Sequence, residues 1–406
     1  MPEILPQTNR PPRLLSLDFM RGLVMVLLAL ESCGLYEHLS KASEGSIFYP
    51  LAQQFFHHPW HGLHVWDLVQ PAFMFMAGAA LAFSLKRQRQ QGMSWGQSFQ
   101  KALKRSGWLF FWGVLDYAVR PSGLSFELWD VLTQLSFTSL LAFLIFQWSA
   151  AAQMAVCAGL LLITELLYRF THVPGFDQPF TDQHNFGNYV DLLLMNKINP
   201  GGWVAINCIP TAVHTIAGAL AGKLLLSAGY ESPATRSLPA SSGTFRHSAS
   251  PAPIGPRTSP GSAAAARPVA ALLGWGLVAL LIGYGLDLAG VTPIIKRIAT
   301  SSFTLVSLGW SLWILALCYW WIDVRDHRHR LQFFTIVGMN SIFIYLFFEI
   351  VGDRWFTGYA AEITNGLMKM VNTPNLVMGI VSSLVLFGLE WGLCYFLYRK
   401  KIFFRL

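Results

Sequence analysis

The chain has 406 residues, of which 12% are charged and 53% hydrophobic, and its mean hydropathy is +0.44. Soluble domains carry roughly 25% charged residues, so this composition excludes a disordered chain, a collagen-like chain and an ordinary soluble enzyme. The net charge of +8, from 29 Lys and Arg against 21 Asp and Glu, leaves a nucleic-acid partner to be weighed against a membrane surface.

The predicted fold is all-α: a polytopic membrane protein of about ten transmembrane helices with both termini cytoplasmic. A helix rises 1.5 Å per residue, so roughly 20 apolar residues cross the hydrocarbon core. Uncharged stretches of that order occupy 68–85, 198–222, 268–286, 298–322, 331–348 and 370–389. The 34 uncharged residues 131–164 are too long for one helix and break at Gln147–Gln153, which predicts a hairpin of two spans. Two weaker spans are 14–36, carrying Asp18, Arg21 and Glu31, and 106–119, carrying Asp116. The predicted organisation is a tail over 1–13, helices one to six over 14–228 with an outer His-rich loop at 37–67, a Ser/Pro/Ala-rich disordered loop over 229–268, helices seven to ten over 269–398, and a basic tail over 399–406.

With the N-terminus inside, 21 of the 29 basic residues fall in cytoplasmic segments, as positive-inside bias requires. The basicity therefore belongs to a membrane surface, and no nucleic-acid partner is expected. The first apolar segment lacks a small-residue cleavage site and reads as a retained span. The five cysteines sit singly in separate spans, without disulfide or zinc spacing. The stretch 92–105 mixes aromatic and basic residues, as a segment lying along the inner membrane surface does.

Ionisable groups inside a bilayer are costly and point to function. Asp18 and Arg21, three apart, form either an intrahelical ion pair or a site where Arg21 meets an anionic ligand from the cytoplasm. Glu31 lies ten residues, or about three helical turns, beyond Arg21. His214 and Asn340 lie in long uncharged spans, where such groups usually hydrogen-bond between helices; Gly338 beside Asn340 lets a backbone or ligand approach closely. The densest chemistry is 57–67, with four histidines (His57, His58, His61 and His64), Trp60, Trp66 and Asp67. Pro59 and Gly62 oppose a regular helix there, and no HExxH or Cys/His pattern supports a metal, so none is expected. A neutral imidazole takes up a proton near physiological pH, and Asp67 is placed to orient a histidine or to cap the next helix.

Arg13-Leu-Leu-Ser-Leu-Asp18-Phe-Met-Arg21-Gly22 resembles the opening of the heparan-alpha-glucosaminide N-acetyltransferase family and its bacterial-type transmembrane relatives. His57-His-Pro-Trp60-His61-Gly62 with Asp67-Leu-Val-Gln-Pro71 and Gly78 is similar to that family's next segment. Asn185 to Asp191, Pro200-Gly-Gly-Trp203, Thr300-Ser301-Ser302-Phe303, Ile322-Asp323-Val324 and Gly338-Met-Asn340 follow in the same order. The resemblance implies a multi-pass acyltransferase of a bacterial-type inner (plasma) membrane, taking acetyl from cytoplasmic acetyl-CoA to an amino sugar or glycan outside. It implies His57 as the catalytic base, with Asp67 or Glu31 orienting it and Trp60 and His61 contacting the acceptor. Arg21, Asp18, Ser301, Ser302 and Asn340 are the candidates for holding the acetyl-CoA donor. Glu31 stands where the family usually has Asn, and Gln134 where it usually has Arg. Relatives also suggest a homodimer. A sugar or amino-sugar transporter without acyl transfer is the alternative that ten spans with buried polar groups equally permit.

Overall fold

The protein is described here by a computed structural model covering residues 14–118, 125–227 and 262–404. The 1–13 tail, most of the 229–268 loop and the last two residues lie outside the described residues, and 262–268 form the first turns of a helix. The described chain is helical. Its first half comprises α1 (Leu15–Ser32), α2 (Leu35–Ser43), α3 (Tyr49–Gln53), α4 (Val69–Gln90), α5 (Trp95–Ala118), α6 (Val131–Leu144), α7 (Ala150–Phe170) and α8 (Phe186–Met195). The second half comprises α9 (Cys208–Ser227), α10 (Ser262–Leu288), α11 (Ser301–Cys318), α12 (Gln332–Met339), α13 (Ser341–Phe347), α14 (Thr357–Lys369) and α15 (Asn375–Arg399).

Six helical segments are long and apolar enough to cross a membrane: Val65–Gln90, Ala150–Phe170, Ala205–Ser227, Ala266–Leu288, Ser301–Val324 and Asn375–Arg399. Two bent pairs, α1 with α2 (69°) and α12 with Ser341–Gly352 (74°), bring the number to eight if each is one span. The α6 helix is apolar but shorter. It is separated from α7 by a break at 145–149, where Ser149 caps α7 by accepting from the Ala152 N–H. Most of the 92–105 stretch is helical, forming the first part of α5, which runs unbroken from Trp95 to Ala118. On α10 and α15 large apolar side chains such as Trp275, Leu281, Leu384 and Phe396 face outward, as a bundle solvated by hydrocarbon requires.

Apolar burial cannot distinguish one helix partner from another in lipid, so close approach of backbones decides the packing. The α4 and α9 helices meet through small residues. A Cβ on Gly78 would collide with the Thr215 carbonyl oxygen, one on Gly218 with that of Phe75, and one on Gly222 would lie 2.8 Å from that of Ala79. The α1 and α12 helices cross in the same way, with Gly338 against the Gly22 backbone nitrogen (2.8 Å from a Cβ). The close approach that Gly338 permits is thus made by backbone. Asn340, at the bend, ties down the chain end: its amide donates to the Ile402 carbonyl (3.2 Å) and its oxygen accepts from the Phe404 N–H (3.1 Å). His214 links α9 to α11 through Ser307 Oγ at 2.8 Å.

Gly218→Leu is expected to abolish monodisperse protein on fluorescence-detected size exclusion, because overpacking here meets backbone that cannot move aside. Gly159→Ala, with nothing within 4 Å of its Cβ, is expected to leave both elution and Tm unchanged. A monodisperse, normally stable Gly218→Leu protein would show that the two helices part freely.

Candidate active site

The loop 57–67 folds around one carboxylate. Asp67 is fully buried, and its Oδ2 accepts from the backbone N–H groups of His64 (2.9 Å) and His58 (3.2 Å). Its Oδ1 lies 3.0 Å from His57 Nδ1 and 3.6 Å from Lys296 Nζ. Gly62 allows the loop to close, with φ at +143° and a ring of His58 where a Cβ would stand. The other rings are committed locally: His64 Nδ1 donates to the Phe56 carbonyl (2.9 Å), and His61 Nε2 lies 2.8 Å from Asp287 Oδ1. Among the described residues no three His, Cys, Asp or Glu side chains converge as a metal set.

Lys296 arrives from the turn 289–300 between α10 and α11. An isolated antiparallel bridge, His61 to Ile295, and the Gly62 N–H to Ile294 carbonyl bond (2.9 Å) join that turn to the histidine loop. Thr300 closes the turn by accepting from the Ile295 N–H (3.0 Å), and Ser302 Oγ donates to the Pro293 carbonyl (2.7 Å). Lys296 is 6% exposed, and its Nζ sits 3.0 Å from His57 Nδ1 and 5.3 Å from the centre of the Trp203 ring. The His57 ring meets Trp203 edge-on at 5.5 Å.

His57 Nδ1 therefore faces two partners and satisfies one at a time. In the Nδ1–H tautomer it donates to Asp67, and Nε2 carries the lone pair that can take a proton. In the other tautomer Nδ1 accepts from the Lys296 ammonium. The His57 pKa is lowered from 6.5, chiefly by burial and further by the Lys296 charge, against the pull of the Asp67 hydrogen bond. Burial likewise brings Lys296 down to about 8, although the carboxylates of Asp67 and Glu31 oppose it. A neutral imidazole is thus kept beside a buried cation, which is the state a general base needs.

Of the candidates from sequence, His57 and Asp67 meet directly. Glu31 lies at the end of α1, and its charge bears on Lys296. Trp60 donates from Nε1 to the Phe180 carbonyl at 2.8 Å, and His61 holds Asp287, so both knit loops together. Ser301 and Ser302 sit at the start of α11, at the Lys296 turn. Arg21, Asp18 and Asn340 belong to the opposite end of the bundle. Asp18 and Arg21 pair at 3.7 Å within α1, and Arg21 also borders a cavity of about 870 Å³. Arg87, Lys101, Lys104 and Arg105 line that cavity too, with no Asp or Glu among its described lining. It follows one face of α4 from Gln88 to Phe73, 15 residues or about 22 Å at helical rise. Lys296 and Trp203 were missed as site residues. Trp203 was legible as part of a motif, whereas Lys296 is one of two adjacent basic residues, with Arg297, before an apolar span.

No known protein family's profile matches the chain. A curated relative does. It is human heparan-alpha-glucosaminide N-acetyltransferase, 23% identical over 463 aligned positions that take in 98% of this chain. The chain spans 60% of the length of the human protein. The likeness is distant and takes in nearly the whole of this chain.

Lys296→Met is expected to raise the His57 pKa, since the lysine charge and its competing contact both vanish. The midpoint of His57 modification by diethyl pyrocarbonate, followed peptide by peptide in mass spectra, then moves to higher pH. An unmoved midpoint would show that the lysine does not act on the ring. Asp67→Ala leaves Lys296 without its carboxylate and is expected to cost roughly 3–5 kcal/mol of stability, read as a fall in Tm.

Proposed function

We propose that the protein is a membrane acyltransferase that carries an acetyl group from acetyl-CoA, bound at the basic cavity, to an amino-sugar or glycan amine at the His57 end. The observation that carries this reading is the placement of two unlike sites at the two ends of α4. Asp67 and His57 stand just before its first residue, and the cavity lined by Arg21, Arg87, Lys101, Lys104 and Arg105 follows it to its last turn. Acetyl-CoA is a polyanion with a long neutral arm. Its phosphates suit the cationic mouth, and the arm suits the less charged run along α4 past Ser84, Ala80, Ala77 and Phe73. With positive-inside bias, the cationic mouth faces the cytoplasm.

In this reading the His57 tautomer held by Asp67 presents Nε2 to the neutral acceptor amine and removes one proton as its nitrogen attacks the thioester carbonyl. The thiolate of CoA leaves and takes up a proton, so an amide and free CoA result. The transporter alternative has no corresponding use for a half-exposed His57 held on the buried Asp67–Lys296 pair at one end of the bundle.

His57→Ala is expected to lower acetyl transfer by about 10²–10⁴-fold while leaving CoA binding intact. Near-normal turnover in that variant would overturn the role. The rate, kcat/KM, is expected to fall as pH drops through the His57 pKa, below 6.5, because protonation fills the lone pair the reaction uses. Arg105→Ala is expected to raise KM for acetyl-CoA with little change in kcat. CoA-independent counterflow of sugar in proteoliposomes, without acetylation, would favour the carrier.

A further inference from the structure

From Gly45 to Trp66 the chain holds no Asp, Glu, Lys or Arg. Around the short helix α3 this stretch turns large apolar side chains outward: Ile47 is 89% exposed, and Phe48, Leu51 and Val65 are each more than half exposed. A contiguous apolar surface of this kind marks a place where something other than water is the neighbour.

Hydrogen bonds fix the depth of this patch. Gln54, at the end of α3, accepts at its carbonyl from the Trp66 N–H (2.9 Å) and at its side-chain oxygen from the Val65 N–H (3.3 Å). Val65 is the first residue of the segment Val65–Gln90, which is long and apolar enough to cross a membrane. The end of α3 is therefore pinned to the level where a span leaves the hydrocarbon, and there apolar and aromatic side chains lie among headgroups and acyl chains. Tyr36 completes the mounting: its ring stacks on Phe55 (4.7 Å) and meets Trp66 edge-on (5.3 Å). His57 follows Gln54 by three residues, so the two backbones are no more than about 11 Å apart. The His57 side chain is 38% exposed beside the buried Asp67.

We propose that Ile47, Phe48, Leu51 and Val65 seat in the headgroup–acyl boundary of the membrane, and that the acceptor reaching His57 is a headgroup borne on a lipid whose chain lies along this patch. The absence of charge over 45–66 fits that occupant, since an acyl chain needs no counter-charge and a charged protein partner finds none. A chain held at the boundary delivers its head at the level of the His57 ring. Confinement to the membrane surface then raises the effective concentration of the head without any new polar contact. The seat in the membrane stands on α3 and Val65 alone; that the lipid-borne head is acetylated rests on the acyltransferase reading.

Two measurements on full-length protein in phosphatidylcholine liposomes test this. With p-benzoylphenylalanine in place of Phe48, illumination is expected to give phosphatidylcholine adducts in mass spectra, as it is in place of Leu281, an outward residue of α10. Cross-links from position 48 to a second copy of the chain, or no lipid adduct there when position 281 gives one, overturn the seat. The second measurement compares acetylation of dodecyl and methyl β-D-glucosaminide, which share one head. The dodecyl compound is expected to show a kcat/KM at least tenfold higher. A dodecyl chain partitions into any bilayer, so variants decide what the patch contributes. The triple change Ile47→Ser, Phe48→Ser and Leu51→Ser is expected to cut the dodecyl-to-methyl ratio at least fivefold, whereas Leu281→Ser is expected to keep it. Equal rates for the two glycosides in the wild type, or the full ratio in the triple variant, overturn the lipid-borne acceptor. Lipid adducts at position 48 with neither glycoside acetylated refute the acyltransferase reading and leave the membrane seat standing.

Discussion

A carboxylate taken out of water must be met by donors or it will not stay charged, and Asp67 is such a group. Two backbone N–H groups close the 57–67 loop onto it, which explains a tight, glycine-dependent turn where histidines and tryptophans alone would not fold. The loop then presents an edge that pairs with Ile295, and that pairing delivers Lys296. His57 is held between the two charges. The tautomer of one ring is in this way coupled to the satisfaction of one buried anion.

The bundle sorts charge by location. Two of its cavities differ in lining: one carries five Lys and Arg side chains with no Asp or Glu among its described residues, and the other carries Glu31, Glu37 and Glu349. The glycine-lined contact between α4 and α9 supports this division, since backbones in contact leave little room for helices to slide.

What could be seen in the sequence depended on distance along the chain. Long gaps between charges exposed the helices, because hydrocarbon penalises charge wherever it falls. Asp67, in a loop broken by Pro59 and Gly62, was legible as a group placed to orient a histidine or to cap the next helix, and the family resemblance singled out His57 among the four. Lys296 was not legible, because nothing local distinguishes it from an interfacial lysine; only the cross-chain bridge makes it a site residue. The bend after Ser32 was equally hidden. It turns on Gly34 at φ +70°, and it swings α2 away from the axis of α1 by 69°. Asn340 and Ser302 carried polar signals that were real, but their bonds go to backbone: Ile402 and Phe404 for one, Pro293 for the other.

His57 and Lys296 are separated by 239 positions, and this has a consequence for biogenesis. Contacts so remote along the chain form only after the intervening segment has been synthesised and inserted, and their closure is slow relative to local helix formation. A nascent chain that has emerged as far as α9 therefore already exposes the histidine loop, with Asp67 lacking its cation. The first half of the protein is obliged to wait for the second, and quality control in the membrane meets an unfinished anion during that interval.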